Sequence, residues 1–546
     1  MKGLMQDWQL TVPKILDHAA LHHGGREVVT RTVEGPIERI TYAAMRPRVK
    51  KLAHALQRLG VVKADRIATL AWNTQRHMES WYALAGLGAI CHTVNPRLFA
   101  DQITYIMNHA EDKALLLDLT FVPMIEQLAP KLPTVKTYII LTDRAHMPKT
   151  SLPGALCYED LLAPESGAFD WVPVREDDAC GLCYTSGTTG NPKGVLYSHR
   201  SNVLLAMMST NADMMGLRCI DTVLPVVPMF HANAWGVIFS APMQGAKLVL
   251  PGPKLDGESL CELYRTEEVT FTAAVPTVWL GLIAHLKQKN VRLPHLKRVL
   301  VGGAAAAPAL IETLERDFGI EVFHSWGMTE MSPIGTYGSL KPGMSELSDA
   351  ERVAIKCKQG RVPYGVEMTV TDDEGHQRPW DGKSFGHLKV RGAAVAAHYF
   401  KEEGHAILDD EDWFDTGDIA TIDAHGFMQI TDRAKDVIKS GGEWISTIEI
   451  ENLALSHPDV AEAAVIGIRH PKWDERPLLV IVKKPGAAVD RAGMLGFLEG
   501  RIAKWWMPDD VVFIPELPHT ATGKIQKTAL RDLYKDYVLP SARLAG

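Results

Sequence analysis

Tyr184-Thr-Ser-Gly-Thr-Thr-Gly-Asn-Pro-Lys-Gly194 decides how the rest of the chain is read. Three glycines and four hydroxyl side chains follow Tyr184 within ten residues, and Lys193 closes the run. Glycine lets backbone approach an anion closely and take up positive φ, so successive N–H groups can converge on it. Thr185, Ser186, Thr188 and Thr189 add hydroxyl donors around Gly187 and Gly190, and Lys193 adds a full charge. The spacing to the lysine is not that of a Walker loop, and no Ser or Thr follows it. Cys180-Gly-Leu-Cys-Tyr-Thr185 and Gly194-Val-Leu-Tyr-Ser-His199 read as short apolar strands, which predicts a hairpin tipped by a polyphosphate-wrapping loop. A plain hairpin turn needs only about two to five residues, so a bare polar turn does not account for this length.

Working outward, 546 residues exceed what one hydrophobic core holds, so two or three domains are expected. A hydrophobic fraction of 46% with 23% charged residues is that of a globular protein. The net charge of −7 argues against nucleic acid as the main partner. No apolar run reaches the roughly 18 residues of a membrane span, and the first residues lack a signal-peptide core. A cytoplasmic protein is the expectation, and seven scattered cysteines fit a reducing compartment. Cys180-x-x-Cys183 has no matching second pair, so it reads as core packing rather than a metal or redox site.

Residues 1 to about 180 alternate helix and strand signals, as a layered α/β domain does. Helices are expected at Val49–Leu59 and Ser80–Ile90, and buried strands at Arg66–Ala71, Lys113–Leu117 and Tyr138–Leu141. A helix follows the hairpin, with Ser201 as its N-cap. A proline-interrupted strand, Val223–Phe230, leads to His231-Ala-Asn-Ala-Trp235, whose His and Trp share a face if the segment is helical. In isolation these two read as core residues. The strand Arg298–Gly303 runs into Gly302-Gly-Ala-Ala-Ala-Ala-Pro308, small residues that leave room for a flat ligand. Val322-Phe-His-Ser-Trp326 leads to Gly327-Met-Thr-Glu330. After Pro342 the strands shorten, predicting a small β-subdomain with Trp413-Phe-Asp-Thr-Gly-Asp418 between its strands. Asp432-Arg-Ala-Lys435 marks a boundary before a compact α+β unit of about 110 residues. That unit has a helix ending at Ala503–Pro508 and then Pro518-His-Thr-Ala-Thr-Gly-Lys-Ile525.

The Thr/Ser/Gly-Lys loop, Gly-Met-Thr-Glu, Asp-Thr-Gly-Asp and a C-terminal Thr-Gly-Lys occur here in that order. The chain thereby resembles the adenylate-forming superfamily of acyl-CoA synthetases, luciferases and peptide-synthetase adenylation domains. Within it, His231–Trp235, Lys439-Ser-Gly-Gly-Glu-Trp-Ile-Ser446, Ala503-Lys-Trp-Trp-Met-Pro508 and Pro518-His-Thr-Ala-Thr-Gly-Lys-Ile525 resemble bacterial fatty-acyl-CoA ligases. The branch that activates 3-(methylthio)propionate in dimethylsulfoniopropionate breakdown is the nearest in pattern, and His470-Pro-Lys-Trp-Asp-Glu-Arg-Pro477 also fits it.

The resemblance implies an α/β fold: a large N-terminal domain of layered sheets and helices with a small β-subdomain, residues 1–431. A hinge at 432–435 and a small mobile α+β domain at 436–546 complete it. It also implies ATP, coenzyme A and Mg²⁺ as cofactors, a small carboxylic acid as substrate, and a homodimer. Thr185 to Gly190 and Lys193 would hold the phosphates, and Glu330 with Thr185 would bind Mg²⁺, a hard cation suited to oxygen. Gly303, Ala304 and Ala305 would face adenine on one side, and Ser325, Trp326, Gly327, Met328 and Thr329 on the other. Asp418 would accept from the ribose hydroxyls, with Arg433 reaching ribose or phosphate. Lys524 would bridge the acid and the α-phosphate. His231 would lie at the acyl carbonyl, with Trp235, Gly302 and Pro333 walling or gating the acyl pocket.

For the second half-reaction the same resemblance implies rotation about Lys435. That would bring Lys439, Gly441, Gly442, Glu443 and Trp444 to the pantetheine tunnel. Lysine at 435 departs from the aspartate of many relatives, which touches only the hinge. The reaction implied is acyl-adenylate formation followed by thioester formation. Its acid is 3-(methylthio)propionate or a similar short acid, with a medium- or long-chain fatty acid as the alternative. A carrier-loading adenylation enzyme is disfavoured because no carrier segment follows residue 546. An inactive nucleotide-binding regulator is disfavoured because Glu330, Asp418 and Lys524 are all retained.

Overall fold

The computed structural model describes residues 1, 3–185, 191–402, 404–441, 443–519 and 525–543. They form two compact units, residues 1–367 with 391–414, and residues 368–390 with 415–546.

The first unit carries two seven-stranded sheets. One runs in the order Leu156–Cys157, Thr137–Ile140, Ala114–Leu117, Arg66–Leu70, Ile90–Thr93, Ala179–Tyr184, Gly194–Ser198. All its pairs are parallel until the last two strands, which form the expected antiparallel hairpin. The other sheet runs Glu321–His324, Arg298–Val301, Phe271–Ala274, Thr222–Pro225, Lys247–Leu250, Glu27–Arg31, Ile37–Thr41. It too is parallel except for its last strand. Fully buried strands such as Ala-Leu-Leu-Leu117 carry unbroken apolar runs because helices cover both faces of a parallel sheet.

The helix Gln75–Leu87 is buried along its whole length and packs against strands of both sheets. A helix buried on every side has no polar stripe to betray its limits. This explains why the predicted Ser80–Ile90 helix is misplaced: it starts at Gln75 and stops at Gly88, whose φ of 71° ends it in a left-handed cap. Ile90 already belongs to the next strand. The helix after the hairpin spans His199–Ser209, and its N-cap is Ser198 rather than Ser201. The Ser198 hydroxyl accepts the Ser201 N–H at 3.0 Å. Cys180 and Cys183 are buried, against Asn202 and Thr93 respectively, and serve as core.

The second unit holds a four-stranded sheet, Val366–Thr371, Gly386–Gly392, Phe414–Ile422 and Met428–Arg433. Asp418 lies within the strand Phe414–Ile422, not between strands as read from sequence; Gly417, at φ 70°, is the turn-like residue that masked it. A second sheet pairs the long strands Val460–His470 and Asp474–Lys483, with Ile438–Ser440, Glu443–Ile445 and Asp510–Phe513 alongside. Its helices are Thr447–Leu455, Arg491–Leu498 and Lys527–Leu533. The helix predicted to end at Pro508 stops at Leu498 instead, and only a short 3₁₀ turn, Lys504–Trp506, follows. Gly500 at φ 73° diverts the chain between them.

Candidate active site

The site residues of the first unit gather where its strands end. In open α/β sheets, ligands bind outside the carboxyl ends of parallel strands. Val301 leads there into Gly302, His324 into Ser325, and Pro225 into the segment bearing His231 and Trp235.

The hairpin closes at its base. Tyr184 pairs with Gly194, the Thr185 N–H donates to the Lys193 carbonyl at 2.8 Å, and the Lys193 N–H reaches the Thr185 hydroxyl at 3.4 Å. Ser186, Gly187, Thr188, Thr189 and Gly190 lie outside the described residues. Lys193 is exposed, with Nζ 4.6 Å from the centre of the Tyr399 ring and 3.6 Å from the Glu402 carboxylate.

Tyr399 also donates its hydroxyl to the Glu330 carboxylate at 2.8 Å. Glu330 is only 6% exposed, and its main-chain carbonyl accepts the Ala396 N–H at 2.8 Å. Burial, and then the Glu330 charge, push the Tyr399 phenol well above its usual range, so it remains a donor. Tyr197, on the hairpin, donates to the Thr329 carbonyl at 2.7 Å, and Phe400 N–H to that of Gly194 at 2.8 Å. The segment 394–402 thus ties the phosphate hairpin to the Glu330 turn. Sequence reading missed it, because nothing around Tyr399 signals a partner 69 positions away.

The Gly302 turn and the Ser325–Thr336 loop face each other. A Cβ on Gly302 would stand 3.1 Å from the Ser325 carbonyl and 3.1 Å from Cη2 of Trp235. Gly303, with φ 77°, has the Trp235 ring on the same side. Gly303, Ala304 and Ala305 are exposed. Ser325 donates to the Thr336 carbonyl at 2.6 Å, and the Trp326 N–H to the Thr336 hydroxyl at 3.2 Å. The Pro333 carbonyl accepts the Met328 N–H at 2.9 Å and leaves no space for a side chain at Gly327. Pro333 therefore sits in the frame of this loop. His324, buried beneath, donates from Nδ1 to the Cys357 carbonyl at 3.0 Å and accepts the Ala306 N–H on Nε2 at 3.3 Å. Burial lowers its pKa, which keeps that neutral tautomer in place.

His231 and Trp235 are not on one helical face. Ala232, Asn233, Ala234 and Trp235 have φ of 44°, 60°, 53° and 53°, a left-handed run that Gly236 completes at 76°. Left-handed backbone is costly for residues with a Cβ and persists only where its surroundings enforce it. Here His231 is exposed, while Trp235 is buried against Gly302 and Gly303. The approach to this turn is fixed by Asn73, a second residue the sequence reading passed over. Its Nδ2 donates to the Pro225 and Val227 carbonyls at 3.0 and 2.9 Å, and its Oδ1 accepts the Met229 N–H at 2.6 Å. Its position just past the strand Arg66–Leu70 was a usable signal.

In the second unit Asp418 and Arg433 are cross-strand partners, with an ion pair at 3.0 Å. Asp418 is 3% exposed, and its backbone N–H donates to the Thr416 hydroxyl at 3.1 Å. Lys435 is exposed; partial desolvation lowers its pKa, Asp436 opposes this, and Arg433, Arg531 and Lys527 add to it. Lys439 and Trp444 face each other across a hairpin whose turn includes Gly441 at φ 60°. Lys439 Nζ lies 5.0 Å from the Trp444 ring and 3.0 Å from Asp373. Gly442, the Glu443 side chain and Lys524 lie outside the described residues. The helix that follows Lys524 is clamped to the rest of this unit. Lys527 stands 2.7 Å from Glu451, and Arg531 pairs with Asp436, next to Lys435.

A family profile described as AMP-binding enzyme matches residues 16–400, and its C-terminal-domain counterpart matches 449–524. The chain belongs to the AMP-binding enzymes. It is 48% identical over 542 residues to a medium-chain-fatty-acid–CoA ligase of Ectopseudomonas oleovorans, covering 99% of each chain. It is 46% identical over 536 residues to a 3-methylmercaptopropionyl-CoA ligase of Ruegeria lacuscaerulensis, covering 98% of this chain and 99% of that relative. Among solved structures, an anthranilate CoA ligase in complex with anthranoyl-AMP superposes with a TM-score of 0.82 at 26% identity, over 98% of this chain and 99% of that one. No helix among the described residues is long and apolar enough to cross a membrane.

Proposed function

We propose that this AMP-binding enzyme is an AMP-forming acyl-CoA ligase that joins a short aliphatic acid to coenzyme A at the expense of ATP. The observation that carries the reading is the meeting of Lys193 and Glu330 on one phenol, Tyr399, at the base of the Gly/Thr hairpin. A buried carboxylate beside an exposed lysine suits a substrate that brings phosphate oxygens and a cation together.

The acid's carboxylate oxygen attacks the α-phosphorus, and pyrophosphate leaves. Like charges must approach, so fixed cations and in-line geometry are the main catalytic needs. Lys193 and the hairpin donors neutralise the phosphates, and Lys524 bridges the two reactants. The Glu330 carboxylate and the Thr185 hydroxyl are hard oxygen donors and fit Mg²⁺, which when bound supplies charge neutralisation for the leaving pyrophosphate. Gly303 to Ala305 and Ser325 to Thr329 flank adenine, and Asp418 with Arg433 takes the ribose. The pantetheine thiolate then attacks the acyl-adenylate carbonyl and expels AMP, with Lys435 as hinge and Lys439 to Trp444 lining the approach. Residues 1–431, 432–435 and 436–546 are the domains of that cycle.

For the acid we favour 3-(methylthio)propionate or a similar short chain, because Trp235 fills the space beside Gly302 at the His231 end. A medium-chain fatty acid is the second reading, supported by the relative at 48% identity. A cytoplasmic homodimer completes the proposal; all seven cysteines are free, in keeping with a reducing compartment. The test is AMP release across C2 to C16 acids and 3-(methylthio)propionate, with and without CoA. A preference for acids longer than eight carbons overturns the short-acid reading, and AMP release without thioester overturns the ligase.

A further inference from the structure

Away from the active site, the turn between the strands Glu27–Arg31 and Ile37–Thr41 carries Glu34. Its side chain is 3% exposed. Oε1 accepts from Arg76 at 2.7 Å and from the Thr142 hydroxyl at 2.8 Å. Oε2 is buried with no hydrogen-bond partner. A bare buried carboxylate oxygen carries a desolvation penalty of about 1–3 kcal/mol or more, and such an atom commonly marks a missing water or ion.

Two residues of the loop after the strand Thr137–Ile140 approach it. Asp143, His146 and Glu34 each offer one ligand atom, and the three atoms lie within 4.8 Å of one another. The side chains of His146 and Asp143 are 50% and 37% exposed, so the cluster opens to solvent on their side. Asp143 also lines a half-open cavity of about 350 Å³, whose walls include Arg39, Arg48, Arg76 and Asp118. Carboxylates outnumber the arginines around it: Arg48 and Arg76 are paired with Glu79, Glu159 and Glu34, Arg39 is paired with Glu267 and Glu27, and Asp143 is a further carboxylate, while burial raises the Asp118 pKa to about 7.

We propose that Glu34, Asp143 and His146 bind one divalent transition-metal ion of the zinc class, pinning the Glu34 turn to the loop after Ile140. One imidazole nitrogen with two carboxylate oxygens suits such an ion, whereas calcium takes about six to eight oxygens and magnesium keeps an oxygen octahedron. Zinc-to-ligand distances of roughly 2.0–2.2 Å require the three atoms to close in, which rotation of the exposed Asp143 and His146 side chains allows. The site is separate from the Glu330 carboxylate and carries no step of the ligase reaction.

The test is calorimetric titration of the chelator-stripped full-length protein with Zn²⁺ alone, with melting scans in parallel. One ion should bind per chain, and the melting temperature should rise with Zn²⁺ by mass action. Asp143→Asn and His146→Ala, both surface changes, should each weaken binding at least tenfold, and Glu34→Gln should do the same without lost ligase activity. Competing chelators are His18, His22 and His23, whose rings cluster at the end of the first helix, and the group Asp372, Glu374 and His376. Binding that survives His146→Ala and Asp143→Asn, or that disappears in His22→Ala, overturns the proposal. So does the absence of any saturable binding.

Discussion

Replacing Trp235 with alanine tests the acyl pocket most directly. The indole is buried, and its ring edge lies where a Gly302 Cβ would come within 3.1 Å. Removing it opens a large cavity next to the proposed acyl carbonyl. Each methylene that fills such a space contributes about 0.8 kcal/mol, or roughly fourfold in kcat/KM. An acid two methylenes longer than the wild-type optimum should therefore gain about fifteenfold in the variant. The shortest acids should lose, because an unfilled cavity holds them loosely. Folding stability should fall by about 3–5 kcal/mol, as for other buried aromatics, so melting scans must accompany the kinetics. Gly302→Ala is the reciprocal probe: its added methyl presses on the indole and should shift the optimum to shorter acids. In the double variant that pressure is gone, so the two effects should not add. The assay is AMP release as kcat/KM against chain length. A length profile unchanged by Trp235→Ala refutes the floor and leaves the indole as support for the Gly302 turn.

Four further outcomes follow from the proposed roles. Lys524→Ala should slow adenylation by at least about 10²–10³ while preformed acyl-adenylate is still converted to thioester; equal loss in both half-reactions would exclude a bridging role. Tyr399→Phe removes a hydrogen bond to a buried carboxylate, of a kind that contributes roughly 1.5–3 kcal/mol. Adenylation should drop about tenfold or more and need more Mg²⁺, and an unchanged Mg²⁺ titration would detach Tyr399 from the site. Lys435→Pro fixes φ near −65°, so adenylation should survive and thioester formation collapse; normal overall turnover counts against rotation there. His77 and His199 are buried, and burial lowers both from 6.5 to about 4, so the unfolded chain takes up protons between those values that the folded chain does not. Stability should be full above pH 6.5 and fall by up to about 3 kcal/mol per histidine as pH drops towards 4; a flat unfolding midpoint from pH 7 to 4.5 contradicts this, and His199→Asn should remove about half the slope.

What was legible in the chain was chemistry confined to a few consecutive residues. The hairpin that carries the Gly/Thr run could be read because its two short apolar strands, Ala179–Tyr184 and Gly194–Ser198, are neighbours in sequence. The buried parallel strands could be read because their apolar runs are unbroken. Helix limits in the core could not, since Gln75–Leu87 is buried throughout and shows no face. The left-handed run from Ala232 to Trp235 was illegible for a different reason. Of the four residues only Asn233 takes up positive φ readily, and tertiary packing of Trp235 on Gly302, with Asn73 holding the approach, holds the two alanines and the tryptophan there.

The residues that went unnoticed share one property: their partners are remote in sequence. Asn73 reaches Met229, and Tyr399 reaches Glu330 and Lys193. Each is an ordinary residue until the fold brings its partners to it. Their placement bears on specificity as well as chemistry. Gly302 has the Trp235 ring on one side and the Ser325 carbonyl on the other, each 3.1 Å from where a Cβ would stand. In the proposed roles, the acyl wall and the adenine wall therefore lean on a single glycine. A side chain at 302 cannot narrow the acyl pocket without pressing on the Ser325–Thr336 loop, which is itself fixed by Ser325, Thr336 and Pro333. Changes of acid preference through this position should carry a penalty in ATP affinity, whereas changes at Trp235, one layer further out, should not. The KM for ATP, measured in Gly302→Ala and Trp235→Ala with the same acid, separates the two: a rise in the first alone supports the shared wall, and equal values dissolve it.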